Sequence, residues 1–156
     1  MPRNNSTVTT ATATAGHPDR GRSLRGSVYA VVLLILIQYG LGMWLNLFAT
    51  IPQSDQGKGT FAAFGAAVAD GPVGLTLHAL LGTLLLLAAL ALLIGAIRAR
   101  VTATIALSVL GFLAIIGAWV NGAMFVGNGA NGSSMGMAMS AGAALLCYIS
   151  ILFVRR

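Results

Sequence analysis

Four long apolar runs, separated by short polar or glycine-rich segments, constrain this chain more than any other feature of its sequence. Each run has roughly 20 or more residues, the length that an α-helix needs to cross the hydrocarbon core of a bilayer. Hydrophobic residues make up 57% of the chain and charged residues only 8%, unlike the balance of a soluble domain. We therefore predict an all-α polytopic membrane protein with transmembrane helices at 28–49, 72–97, 101–120 and 135–154.

The chain divides into a polar tail and one membrane domain. Residues 1–26 are basic and rich in Thr and Ala, and we predict a disordered cytoplasmic tail there, followed by the transmembrane domain at 27–156. The first apolar run is longer than the apolar stretch of a signal peptide, about 7–15 residues, so we expect it to be retained as a helix. The sequence Asp70-Gly71-Pro72 predicts the start of the second helix, with an acidic cap and a proline in the first turn.

The remaining links and the charges predict how the helices are arranged. The segments 50–71 and 121–134 are predicted to be loops, the second one flexible because it is rich in Gly and Asn. Of the nine basic residues, only Lys58 falls on the side opposite the termini, so the positive-inside rule places both termini in the cytoplasm. Short links favour an antiparallel four-helix bundle. The composition, rich in Ala, Gly and Arg and poor in Lys, favours a bacterial cytoplasmic membrane.

A five-residue pattern occurs twice and predicts an internal repeat. The motifs GMWLN at 42–46 and GAWVN at 117–121 contain both tryptophans of the chain, each near the end of an odd-numbered run. The even-numbered runs align more weakly, with Gly82 over Gly142 and His78 over Ala138. We predict two helical hairpins of like orientation, of which only the first carries an intramembrane histidine.

Polar side chains are concentrated towards the non-cytoplasmic half of the predicted bundle. Gln38 and Asn46 share one face of the first helix, and His78 lies about 9 Å below the outer boundary at 1.5 Å per residue. Because an unpartnered amide or imidazole in hydrocarbon costs several kcal/mol, these groups are expected to turn inward with Asn121. The sequence predicts a polar outer cluster of Gln38, Asn46, His78 and Asn121, in which His78 either joins helices or forms a functional site.

The paired hairpins, with the segment HALLG at 78–82, resemble the half-bundle of heme A synthase and small four-helix membrane proteins with b-type heme. The resemblance covers about residues 28–154 and implies a heme b held by a histidine on each of two even helices. This chain departs from that pattern at the second position, where Ala138 is flanked by Met137 and Met139. A His/Met pair can also hold heme iron. The resemblance therefore implies His78 with Met137 or Met139 as cofactor ligands.

A copper site is a further alternative, because thioethers suit Cu(I). Its ligands would be Met135, Met139 and His78, although methionine is also an ordinary packing residue in apolar interiors. The single cysteine, Cys147, excludes a disulfide within the chain.

The sequence thus favours a small non-enzymatic membrane protein without a cofactor, surrounded by lipid and serving as an accessory or helix-packing partner in a larger membrane complex or a homo-oligomer. A heme- or copper-binding redox component is the alternative, and a small oligomeric transporter is the third. No nucleotide-binding or hydrolase motif occurs in the sequence, and its basic residues flank apolar runs, which argues against nucleic-acid binding.

Overall fold

Five α-helices make up the part of the chain that the structure, a computed structural model, describes, namely residues 20–48 and 57–154. Four are long and apolar enough to cross a membrane, and no strand occurs within the described residues. The prediction of an all-α chain with four helices able to span a membrane is confirmed. In chain order the helices are α1 (Arg20–Phe48), α2 (Thr60–Ala69), α3 (Val73–Ala99), α4 (Thr102–Asn128) and α5 (Asn131–Phe153).

Several helices extend beyond their predicted ends. α1 begins at Arg20 rather than at residue 28, so the tail predicted at 1–26 overlaps it, and residues 1–19 lie outside the described residues. Hydropathy indicates which residues lie in lipid. A helix can continue beyond those residues, because each added residue gains a backbone hydrogen bond. The long helices therefore run past the apolar stretches from which they were predicted.

The segment predicted to be a flexible loop at 121–134 is almost entirely helical. Only Gly129 and Ala130 separate α4 from α5. Gly129 adopts a left-handed conformation, with φ of 62°, and its N–H donates to the carbonyl of Phe125 at 2.8 Å, which ends α4. The Ala130 N–H donates to Asn128 Oδ1 at 2.9 Å. Glycine and asparagine are weak helix formers, but tertiary packing overrides that preference here.

The segment predicted to be a loop at 50–71 contains α2, which packs against α3 and α4. Ala63 and Ala67 are its buried residues. The backbone N–H of Gly57 donates to the carbonyl of Gly127 at 2.7 Å, which attaches the start of this segment to the end of α4. Asp70 is the C-terminal cap of α2 and provides no side-chain cap for α3, whose N-cap is Pro72. Pro72 thus lies at the helix start but as its N-cap rather than in the first turn as predicted, and the acidic cap is not confirmed.

The long helices contact one another in the order α1, α3, α4, α5 and back to α1. The α4–α5 interface is the most extensive of the four, and the α1–α5 interface is the least extensive. The larger core lies away from α2, where Tyr148 is completely buried and its ring contacts Gly111. A smaller core joins α1, α2, α3 and α4 around Leu45, Leu75 and Val126. The end with the smaller core, where α1 and α4 end and α3 and α5 begin, is called the His78 end below.

Candidate functional site

A cavity of about 410 Å³ lies at the His78 end, and all five helices contribute to its wall. Most of the wall is apolar. Its polar side chains include Gln38, Asn46, His78 and Ser134, and no Lys, Arg, Asp or Glu is among the described residues that line it. Drug-sized ligands occupy pockets of about 300–1,000 Å³ with mainly apolar walls and a few polar groups, and this cavity is of that kind.

His78 reaches the cavity from α3, and Gly42 of α1 makes the space for its ring. A Cβ atom at position 42 would lie 2.9 Å from His78 Cε1, closer than side-chain carbons approach. The ring nitrogen Nδ1 is buried and has no hydrogen-bond partner within the described residues. Only this nitrogen is sealed off, so Nε2 is the ring nitrogen that a molecule in the cavity can reach.

Gln38 lies beside His78 and is held by the backbone of α3. Its Nε2 donates to the carbonyl oxygen of His78 at 2.8 Å. The other end of the amide, Oε1, is buried and has no partner within the described residues. A Cβ at Gly82 would lie 3.0 Å from Gln38 Nε2, so this glycine makes room for the amide. Gln38 Oε1 and His78 Nδ1 are thus unpaired atoms of two lining residues, but both atoms are enclosed by protein rather than open to the cavity, and an unmet hydrogen bond of this kind costs about 1–3 kcal/mol.

The polar cluster predicted from the sequence is brought together in part. Gln38, Asn46 and His78 line the same cavity, whereas Asn121 is not among the lining residues. Asn46 Oδ1 accepts a hydrogen bond from Ser134 Oγ of α5 at 3.5 Å. The Asn121 amide instead donates to the carbonyl of Gly117 in its own helix at 2.8 Å. Because this hydrogen bond pairs the Asn121 N–H group within α4, the group needs no partner in the cavity.

The methionines predicted as ligands are separated by the helical geometry of α5. Met137 lines the cavity, and its Sδ lies 3.1 Å from the position of a Cβ at Gly122. Met135 and Met139 are 65% and 66% exposed and are not lining residues. Residues two apart on a helix point to different sides, which places Met137 with His78 and leaves Met135 and Met139 outside. Ala138, the counterpart of His78 in the proposed repeat, also lines the cavity.

The contribution of α2 to this site was missed in the sequence. Phe64 and Ala67 line the cavity, and the Phe64 ring lies 4.8 Å from that of Trp119. The indole N–H of Trp119 donates to Thr83 Oγ1 at 3.3 Å. The signal was present in the sequence TFAAFGAAVA at 60–69, an uninterrupted stretch without charge whose two phenylalanines are spaced for one helix face.

Comparison with family models, with curated protein sequences and with solved structures found no significant match. The function therefore has to be argued from the site itself.

Proposed function

We propose that this protein is a non-enzymatic membrane protein that binds an uncharged, mainly apolar small molecule at the His78 end. The observation that carries the proposal is the cavity, whose described lining residues are mainly apolar and uncharged and include His78, whose ring nitrogen Nε2 is not among the buried unpaired atoms. A charged ligand would lose its hydration there without gaining a counter-charge. A neutral ligand with one hydrogen-bonding group gains apolar contact and reaches the imidazole Nε2.

The proposed setting is the bacterial cytoplasmic membrane, with both termini in the cytoplasm and the His78 end outside. Arg98 and Arg100 lie at the opposite end, at the link between α3 and α4. This position agrees with the positive-inside rule. The repeat of two hairpins is supported by close glycine contacts within each pair. Gly42 packs on α3, and Gly117 packs on α5. Antiparallel packing of the four spans belongs to the same proposal.

A pair of matched variants tests the binding site. Ala138 lines the cavity, whereas Ala143 is an exposed residue of the same helix. We expect lipid-soluble molecules to co-purify with the unaltered protein and to be detected by mass spectrometry after gentle detergent extraction. Ala138→Phe fills the cavity and should lose the bound molecule, while Ala143→Phe should retain it. Equal retention by both variants would place the ligand elsewhere on the protein.

Heme b is the second candidate, because His78 and Met137 line the same cavity and a His/Met pair can hold heme iron. Bound heme would supply electron-transfer chemistry. Two features of the wall count against it. Ligating histidines usually donate their other N–H to a partner, whereas His78 Nδ1 has none among the described residues. The wall also offers no described cation to the two heme carboxylates.

A reduced-minus-oxidised absorption spectrum of the protein, purified from cells supplied with heme, separates the two candidates. A Soret band that His78→Ala removes would establish heme. Spectra without heme bands, together with a co-purified apolar molecule, would favour the first proposal.

The role of the binding protein in the cell remains the one proposed from its sequence, that of an accessory to a larger membrane complex or a homo-oligomer. The exposed surfaces of the four long helices are rich in Leu, Ile and Met, which fits both lipid and helical partners. Native electrophoresis in mild detergent would show whether the chain migrates with a larger assembly. A third role, that of a small transporter, would require transfer of the bound molecule between the two leaflets.

A further inference from the structure

The interfaces around the cavity differ in how closely their helices approach. Between α1 and α3, a Cβ at Gly42 would lie 2.9 Å from His78. Between α4 and α5, a Cβ at Gly136 would lie 2.6 Å from Asn121 Oδ1. Glycines at such positions let two helix backbones come together and close the interface against lipid.

The α1–α5 interface lacks this closure at the His78 end. No described glycine of α1 or α5 makes a close contact across it. The hydrogen bond seen across it there joins Ser134 Oγ to Asn46 Oδ1 at 3.5 Å, longer than the usual 2.5–3.0 Å for such a pair. α2, which covers part of this end, packs against α3 and α4. The α3–α4 interface also has no such glycine contact, but Trp119 donates to Thr83 across it and α2 packs on both helices, so the α1–α5 interface is the least closed of the four between long helices at this end.

A row of side chains on α1 marks where the cavity opens. Tyr39, Met43 and Leu47 recur every four residues, so they lie on one side of the helix. All three line the cavity, yet Met43 is 56% and Leu47 68% exposed. Side chains that line a cavity and also face the surroundings form its mouth. At 1.5 Å per residue this mouth is about 12 Å tall, and it lies along a helix apolar enough to be embedded in lipid.

The mouth does not continue along the rest of the interface. Val31 and Ile35 of α1 and Ala144 and Tyr148 of α5 are buried in the larger core. These side chains seal the α1–α5 interface away from the His78 end. A molecule in the cavity is thus confined to one end of the spans and open sideways to the bilayer.

We infer that the ligand is a membrane amphiphile with a small uncharged head, and that it passes sideways between α1 and α5 from the bilayer into the cavity. This inference rests on the proposed function. The head lies beside His78, where it can hydrogen-bond to the ring nitrogen Nε2. The tail leaves through the mouth at Tyr39, Met43 and Leu47 and remains in the hydrocarbon.

The experiment closes the mouth chemically and measures access. Asn46→Cys and Ser134→Cys are combined and joined by a short reducible bis-methanethiosulfonate reagent. The control pair is Gly117→Cys with Ser140→Cys, across the α4–α5 interface, where a Cβ at position 117 would lie 3.7 Å from Ser140 Cβ. Both pairs are made in a background with Cys147→Ala, which removes the native thiol.

Trp119 is the reporter, because it lies in the cavity wall. Trp44→Phe removes the other tryptophan from every variant. The protein is placed in phosphatidylcholine nanodiscs and mixed with a dibrominated monoacylglycerol, whose bromine atoms quench indole fluorescence on contact. The rate and the saturation of Trp119 quenching are recorded before cross-linking, after it, and after reduction.

We expect saturable quenching that becomes at least about tenfold slower when positions 46 and 134 are joined and recovers on reduction, with no change in the control pair. Equally fast quenching in both cross-linked proteins would overturn the sideways route while leaving the binding site intact. Quenching that never saturates in any variant, including the protein before cross-linking, would overturn both the inference and the binding function on which it rests.

Discussion

The two helix pairs, α1 with α3 and α4 with α5, carry the same five-residue pattern but use it differently. The first glycine of the pattern lies against the partner helix in both pairs. Gly42 makes room for the imidazole of His78, whereas Gly117 faces the small hydroxyl of Ser140 at 3.2 Å. The glycine therefore leaves room for the His78 ring in the first pair, and in the second pair the space beside it holds only the Ser140 hydroxyl.

The tryptophans of the two motifs also differ. Trp44 packs on Gly74 within its own pair, where a Cβ would lie 2.9 Å from its ring. Trp119 reaches out of its pair to Thr83 of α3 and to Phe64 of α2. The asparagines differ in the opposite sense. Asn46 accepts a hydrogen bond from Ser134 of the other pair, whereas Asn121 donates to the backbone of its own helix. The repeated motif thus places corresponding residues at the same point along their helices. The contacts that their side chains make depend on the neighbouring helix.

The largest expected effect concerns the tighter pair. Gly111→Leu places a side chain where a Cβ would already lie 2.8 Å from the Tyr148 ring, and Tyr148 is completely buried. Overpacking there should lower the free energy of unfolding by about 3 kcal/mol, measured by denaturant titration in detergent micelles. Gly142→Leu is the control, since nothing lies within 4 Å of a Cβ at that position. Equal destabilisation by both variants would mean that α4 and α5 are not packed through Gly111.

Ala138→His tests whether the two pairs are equivalent around the cavity. Ala138 lines the cavity wall and is the counterpart of His78 in the proposed repeat. A second imidazole in the wall would add a ligand for heme iron, and hemin affinity should then increase at least about tenfold, read from the Soret band during titration. Ala143→His, on the exposed side of α5, should leave the affinity unchanged. If Ala138→His behaved like Ala143→His, the overlay of His78 on Ala138 would be refuted.

Gly42→Ala and Gly117→Ala compare the corresponding glycines directly. The new methyl group at position 42 collides with the His78 ring, whereas at position 117 it meets the Ser140 hydroxyl at a distance that a small shift relieves. We expect Gly42→Ala to weaken binding of the brominated monoacylglycerol about fivefold, and Gly117→Ala by less than about twofold. Equilibrium quenching of Trp119 gives both dissociation constants. A larger loss from Gly117→Ala would contradict the placement of the ligand beside His78.

The smallest expected effect concerns Tyr148, whose hydroxyl is buried and unpaired within the described residues. Tyr148→Phe keeps the ring against Gly111 and removes the unmet hydroxyl. The free energy of unfolding should rise by about 0.5 kcal/mol, because an unsatisfied buried polar group is destabilising. The same micelle denaturation measures it. A loss of stability would show that the hydroxyl does have a partner in the membrane.

Much of the fold could be predicted because hydropathy and helix length are properties of consecutive residues. The four spans follow from the apolar runs, and the link of two residues after α3 is preceded by Arg98 in the last helical turn. The packing of α2 against α3 and α4 and the continuation of α4 to Asn128 could not be predicted in this way. Both depend on contact with distant segments, such as the bond between Gly57 and Gly127.

The candidate site could be predicted only in its residue types. A helical period places Gln38 and Gly42 on one face, and it separates Met137 from Met135 and Met139. The helical period does not show which neighbouring helix a given face packs against. The sequence therefore grouped Asn121 with His78, whereas its amide bonds within α4 and is not a lining group of the cavity.

By itself the sequence determined that this chain has four helices able to span a membrane and that one histidine, His78, lies within one of them. Burial of apolar residues in lipid and backbone hydrogen bonding within each helix need no information from other segments. Only the tertiary structure decided that Gly42 faces His78, that α2 helps to enclose a cavity, and that the α1–α5 interface is the least extensive of the four between long helices. These features depend on which side chains of separate helices interlock, and such packing is a property of the assembled helices rather than of any one stretch of chain.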